Sequence, residues 1–118
     1  MILQTFSILT RLFLMTQTNY ERGRSSEYYV KHLLENMGYR FIIRSAASHT
    51  PIDLLAAKGR KSHSQVMAIQ VKGGRKSRIS ENELKELRDW ARAFNAAPIL
   101  ARKEQGKWLL RDADQYFP

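Results

Sequence analysis

The chain contains no cysteine, which excludes disulfides, thiolate zinc sites and thiol nucleophiles and fits an intracellular setting. Its histidines, His32, His49 and His63, lack any spacing that would gather them on a zinc ion, so each is expected at the surface. A long hydrophobic run is also missing. Arg11 splits the opening MILQTFSILTRLFLM, what remains is too short to span a bilayer, and no small-residue cleavage site follows. Residues 1–18 are therefore expected to form an N-terminal arm, with Met15 an alternative start, and residues 19–118 a single domain with no membrane association. Acidic residues are absent from one stretch: between Asp53 and Glu81 stand Lys58, Arg60, Lys61, Lys72, Arg75, Lys76 and Arg78, and no Asp or Glu. With 20 Lys+Arg against 11 Asp+Glu and a net charge of +9, the expected partner is a polyanion.

What is present suits one compact α/β domain. A length of 118 residues with 43% hydrophobic content is enough for a real core. Tyr29 or Val30, Leu33, Leu34 and Met37 recur at helical spacing and Gly38 supplies a stop, so the first helix is expected over Asn19–Met37. YRFIIRS, Tyr39 to Ser45, reads as a strand and is followed by the polar turn AASHTP. IDLLAA and VMAIQVK read as two more strands, and the exposed loop KGRKSHSQ between them implies antiparallel pairing. Ser80 and Glu83 form an S-x-x-E capping box, which gives Glu83 a sufficient structural role. Leu84, Leu87, Ala91 and Phe94 put an apolar stripe on the helix that box starts, ending near Asn95. APILARK and KWLLRDADQYF, separated by EQG, read as closing strands, and the order is αβββαββ.

Three polar residues interrupt this pattern. Each alone has an ordinary reading: Asp53 after Pro51 as the start of a strand, Gln70 as a hydrogen-bonded polar residue, Lys72 as a side chain reaching solvent at a sheet edge. Together they say more, because Gln70 and Lys72 are two apart and project from one face of their strand, where Asp53 on the neighbouring strand can meet them. A carboxylate, an amide oxygen and an ammonium gathered at a sheet end are a poor structural choice unless an ion or a phosphate completes the set. Mg²⁺ fits, since it takes hard oxygen ligands and shares its shell with waters and substrate phosphate oxygens. Phosphodiester hydrolysis is the reaction class this implies, with Lys72 holding the attacking water and offsetting charge on phosphorus.

These residues resemble the PD-(D/E)xK nucleases, with PID, Pro51 to Asp53, in place of PD and one residue inserted, and QVK, Gln70 to Lys72, in place of ExK. Within that group the likeness is to archaeal-type Holliday junction resolvases. It is carried by RGRSSE (Arg22 to Glu27), IIRSAAS (Ile42 to Ser48), IDLLA, IQVK and DWARAFNAAPILARK (Asp89 to Lys103), and spans roughly Tyr20 to Trp108. The resemblance implies a restriction-endonuclease-like αβββαβ core, a central mixed sheet flanked by helices. It implies that Glu27, Asp53 and Gln70 are metal-site side chains, that Lys72 stands beside them as a catalytic residue, and that the Val71 carbonyl is a further ligand. Arg44 and Ser48 would contact the cut strand, and Arg22 and Arg24 would extend a DNA-binding surface that includes Arg75, Lys76 and Arg78. Gln70 departs from the family's usual Glu, although Mrr-type restriction enzymes are similar in using QxK; an amide supplies an oxygen without charge and cannot act as a base.

The expected activity is thus Mg²⁺-dependent cleavage of four-way DNA junctions, with Mn²⁺ as a substitute ion, in an intracellular, nucleoid-associated setting and with no small-molecule substrate. The alternatives are an Mrr-like or repair nuclease acting on duplex or flap DNA and a non-catalytic DNA-binding module that keeps the nuclease fold. A C2 homodimer is expected, because a four-way junction offers two symmetry-related scissile bonds. Trp90, Phe94, Trp108, Leu110 and Phe117 are candidate interface residues, with a place in the core the equal alternative for each. GGRKS, Gly73 to Ser77, lacks full P-loop spacing, and Tyr28 and Tyr29 are read as helix-packing residues rather than recombinase nucleophiles.

Overall fold

The structure is a computed structural model that describes residues 19–45, 49–59, 66–73 and 78–116, with the side chains of residues 19–24 outside that description. The N-terminal arm, most of the KGRKSHSQ loop and the proposed contacts Ser48, Arg75 and Lys76 lie outside the described residues. Helix α1 (Asn19–Asn36) leads to strands β1 (Phe41–Arg44), β2 (Leu54–Ala57) and β3 (Met67–Lys72), then helix α2 (Glu81–Ala93) and strands β4 (Ala97–Glu104) and β5 (Lys107–Asp112). The order is the αβββαββ expected from the sequence.

The strands form one sheet in the order β1-β2-β3-β4-β5. Neighbours are antiparallel except β3 and β4, which run parallel with Gln70 beside Leu100 and Lys72 beside Arg102. A parallel pair needs a crossover, and α2 supplies it. Alternation then divides the core between two faces. Leu54, Ala56, Met67, Ile69, Ala101 and Trp108 pack with Val30, Leu33 and Leu34 of α1. Ala68 and Leu100 pack on the opposite face with Leu84, Leu87 and Ala91 of α2. Because side chains alternate along a strand, Gln70 and Lys72 share the α2 face with Ala68.

Both helices end in Schellman motifs. After α1, Tyr39 N–H donates to the Leu34 carbonyl and Gly38 N–H to Glu35, with Gly38 at φ 98°, where only glycine is unstrained. After α2, Ala96 N–H donates to Ala91 and Asn95 N–H to Arg92, with Asn95 at φ 53°, a region Asn tolerates better than other side chains. This turn aims Phe94 outward: it is 57% exposed and does not continue the buried stripe of Leu84, Leu87 and Ala91 as the spacing suggested. Trp108 is 1% exposed and so takes the core alternative, while Leu110 is partly buried against the same core. Their strand, β5, turns its alternate side chains inward under α1. Phe117 lies outside the described residues.

Candidate functional site

Asp53 sits astride Gln70. Its N–H donates to the Ile69 carbonyl at 2.8 Å, its Oδ2 accepts from the Val71 N–H at 2.6 Å, and its own carbonyl accepts from Ser45 N–H at 2.9 Å. Pro51 and the short segment before β2 thus tie the aspartate to the two strands on either side of it. Burial raises its pKa to about 6; the Val71 N–H pulls it down, Glu27 pushes it up, and Lys72 and Arg44 pull it down. Glu27, Lys72 and Arg44 therefore all lie within Coulombic reach of Asp53.

Glu27 reaches the site from α1, on the other face of the sheet. It is not an exposed helix residue: its side chain is 22% exposed and its Oε1 accepts from Arg44 Nε at 2.7 Å. The approach depends on Gly73, which follows β3. A Cβ placed there would meet Ser26 Oγ at 2.5 Å and the Trp108 ring at 2.9 Å. With no side chain at Gly73, the strand end lies against Ser26, the residue before Glu27. GGRKS thus contains a packing glycine, and the signal for it was a glycine directly after an apolar strand.

Gln70 Oε1 is buried and has no hydrogen-bond partner among the described residues. An orphaned buried carbonyl oxygen is costly unless something fills its coordination space. A hard divalent cation has the chemistry to fill that space, and the two carboxylates of the neighbourhood, Asp53 and Glu27, feel one another's charge. No cluster of three or more His, Cys, Asp or Glu side chains that could hold a metal occurs among the described residues.

Lys72 points to α2. Its Nζ donates to Glu83 Oε2 at 2.7 Å, while Glu83 Oε1 accepts from Ser80 N–H at 3.1 Å and Ser80 Oγ accepts from Glu83 N–H at 3.1 Å. Glu83 is a capping residue as expected, yet it also carries an ion pair that the capping pattern alone did not reveal. The available signal was strand parity, which sends Lys72 to the α2 side. The pairing with Lys72 holds the Glu83 carboxyl below the usual range.

Of the proposed DNA contacts, Arg44 lies beside Glu27 with its guanidinium 5.4 Å from the Tyr28 ring centre. Tyr28 is 43% exposed, so it does not serve helix packing as expected. Arg22 and Arg24 precede Glu27 on α1. Arg78 is exposed and lines a cavity of about 760 Å³ with Glu83, Arg102 and Tyr116. A smaller cavity of about 190 Å³, lined by Asp53, Ile43, Leu55, Trp90 and Phe94 among others, opens on the α2 side.

A family model described as archaeal Holliday junction resolvase (hjc) matches residues 18–116. Among solved structures, that of Archaeoglobus fulgidus Hjc, described as a Holliday junction resolvase from an archaeal hyperthermophile, matches with 29% identity and a TM-score of 0.63. The match covers 79% of this chain and 74% of that one. Nothing among curated protein sequences matches. No helix among the described residues is long and apolar enough to cross a membrane.

Proposed function

The chain belongs to the archaeal Holliday junction resolvase family, and from that premise we propose how its residues carry out the reaction. The protein is a nuclease of Holliday junction resolvase type and depends on a metal ion, as resolvases of this family do in general. Mg²⁺ is the ion proposed, with Mn²⁺ able to replace it, because every donor in the set is a hard oxygen. Asp53, Glu27 and Gln70 hold the ion, and the Val71 carbonyl is a further candidate ligand. When bound, the ion polarises the scissile phosphate and lowers the pKa of the attacking water. Lys72 orients that water by hydrogen bonding and offsets the charge that develops on phosphorus. Arg44 holds Glu27 at rest and turns its remaining N–H groups to a phosphate of the cut strand.

The observation that carries this reading is the grip of Asp53 on both sides of Gln70, together with the partnerless Gln70 Oε1 between them. The basic surface proposed for the DNA backbone comprises Arg22, Arg24, Arg44, Arg75, Lys76 and Arg78, with Ser48 at the cut strand; a net charge of +9 supports it. We place the enzyme inside the cell, at the nucleoid. A C2 homodimer is proposed through Trp90 and Phe94, which are 37% and 57% exposed with ring centres 6.2 Å apart beside the exposed Ile43. Large apolar side chains grouped at a surface mark an interaction site. The test is cleavage of labelled four-way junction, duplex and flap DNA with Mg²⁺ or with EDTA. Preferential junction cutting that EDTA abolishes is expected; equal cutting of duplex or flap DNA would refute the resolvase reading.

A further inference from the structure

We infer that Glu83 is a positioning residue for Lys72, so that the first turn of α2 sets where the lysine ammonium stands during cleavage; this rests on the role given to Lys72 above. Lysine is a point charge on a flexible four-carbon stem, and it keeps one place only when an acceptor holds it there. At the end of β3 two carboxylates lie within reach of the Lys72 charge. Asp53 is close enough for its pKa to be lowered by the Lys72 charge, and an ammonium seated on that carboxylate would screen it from an incoming cation. Glu83 Oε2 instead takes the ammonium at 2.7 Å.

The acceptor is itself fixed. Glu83 Oε1 accepts from the Ser80 N–H, and the next residue, Leu84, is 1% exposed in the core, so the carboxylate cannot follow the lysine about. Its charge also suits the N-terminal turn of a helix. A capping box requires only one side-chain oxygen and accepts Gln as readily as Glu. The second oxygen is surplus to the cap, and it is the one that meets Lys72. With one N–H engaged on the α2 side, the remaining two donors of Lys72 are free to face the site.

Glu83→Gln separates the two roles, because its amide oxygen still caps α2 while its NH₂ opposes the ammonium. Single-turnover junction cleavage at saturating protein and Mg²⁺ is expected to fall by between about 10- and 100-fold, the cost of a misplaced catalytic group. The junction dissociation constant is expected to stay at the parent value, and Tm to fall no further than in Ser80→Ala, since a charge at a helix N-terminus is worth no more than a cap. Ser80→Ala does the reverse: it lowers Tm by weakening the cap and leaves the cleavage rate in place. A Glu83→Gln protein that cuts at the parent rate, or faster, overturns the inference, and so does a loss of rate accompanied by a fall in Tm larger than that of Ser80→Ala. Failure of the underlying reading has a different signature: the parent does not cut junctions, or Lys72→Ala cuts as well as the parent.

Discussion

Replacing Asp53 by Asn is expected to make the metal-free protein more stable while abolishing cleavage. The carboxyl is pushed from 3.8 to about 6, chiefly by burial and further by Glu27. At about 1.4 kcal/mol for each pH unit, ionising it in the native state costs about 3 kcal/mol more than in the unfolded chain. Because the native carboxyl keeps its proton to higher pH than the unfolded one, the contribution is most favourable below pH 3.8. It is lost as pH rises through about 6. Asn resembles the protonated acid: it fits the same space, and its oxygen can accept the Val71 N–H.

The gain from Asp53→Asn is therefore expected to be near zero at about pH 4 and to approach about 3 kcal/mol at about pH 8, a rise in Tm on the order of 10 °C. Urea or thermal melts in EDTA across that range measure it. Adding Mg²⁺ should then raise the Tm of the parent more than that of the variant, which keeps the Glu27 carboxylate but lacks the charge of Asp53. A stability difference that is flat with pH, or a variant less stable than the parent near pH 8, would refute the reasoning. So would equal stabilisation of both proteins by Mg²⁺.

Gln70→Glu should reach half-maximal junction cutting at lower Mg²⁺ than the parent, most clearly at or above neutral pH, because a third carboxylate raises the pKa of its neighbours in the empty site. Gln70→Ala should need more Mg²⁺; a titration identical to the parent's would show that Gln70 is not a ligand. Gly73→Ala should lower stability by about 1–3 kcal/mol, since its Cβ would fall 2.5 Å from Ser26 Oγ and 2.9 Å from Trp108. It should also slow cutting by displacing Glu27, and a variant with parent Tm and rate would mean that the strand end shifts without effect. Phe94→Lys should yield a monomer by light scattering with unchanged circular dichroism, as the side chain is 57% exposed; a persisting dimer would place the interface elsewhere.

The elements were legible because each left a local mark. Val30, Leu33 and Leu34 carry the α1 period, Ser80 and Glu83 mark the start of α2, and Gly38 and Gly106 sit at positive φ where the chain turns. Antiparallel β2–β3 pairing followed from loop composition. The positions that misled are those where one pattern serves two purposes. Phe94 has helical spacing, but it is the C-cap of α2, where the chain leaves the helical path and the side chain swings off the buried stripe. Trp108 has two readings in sequence, interface or core, because an aromatic near a chain end has no address there; only the β4–β5 register turns it inward.

The candidate site divides along the same physical line. Asp53, Gln70 and Lys72 stood out because a polar residue inside an apolar run is costly, and a cost is visible in sequence. Glu27, by contrast, lies on a helix where a glutamate costs nothing, so only the family resemblance drew attention to it. Its partner was less visible still. Arg44 is held by Glu27 at 2.7 Å and faces the exposed ring of Tyr28, which makes the arginine part of the resting site as well as a candidate DNA contact. A carboxylate cannot give both its oxygens' charge to an arginine and to a metal ion without weakening each bond. If Glu27 holds the ion as proposed, loading it is expected to loosen Arg44 from Glu27 and leave its guanidinium donors to a phosphate. Junction affinity then rises with Mg²⁺ in the parent and not in Arg44→Ala; equal affinities of the parent with and without Mg²⁺ would refute the coupling. Such coupling needs the acid, the base and the strand end in one place, and that meeting is set by Gly73 and Ser26, where β3 touches α1.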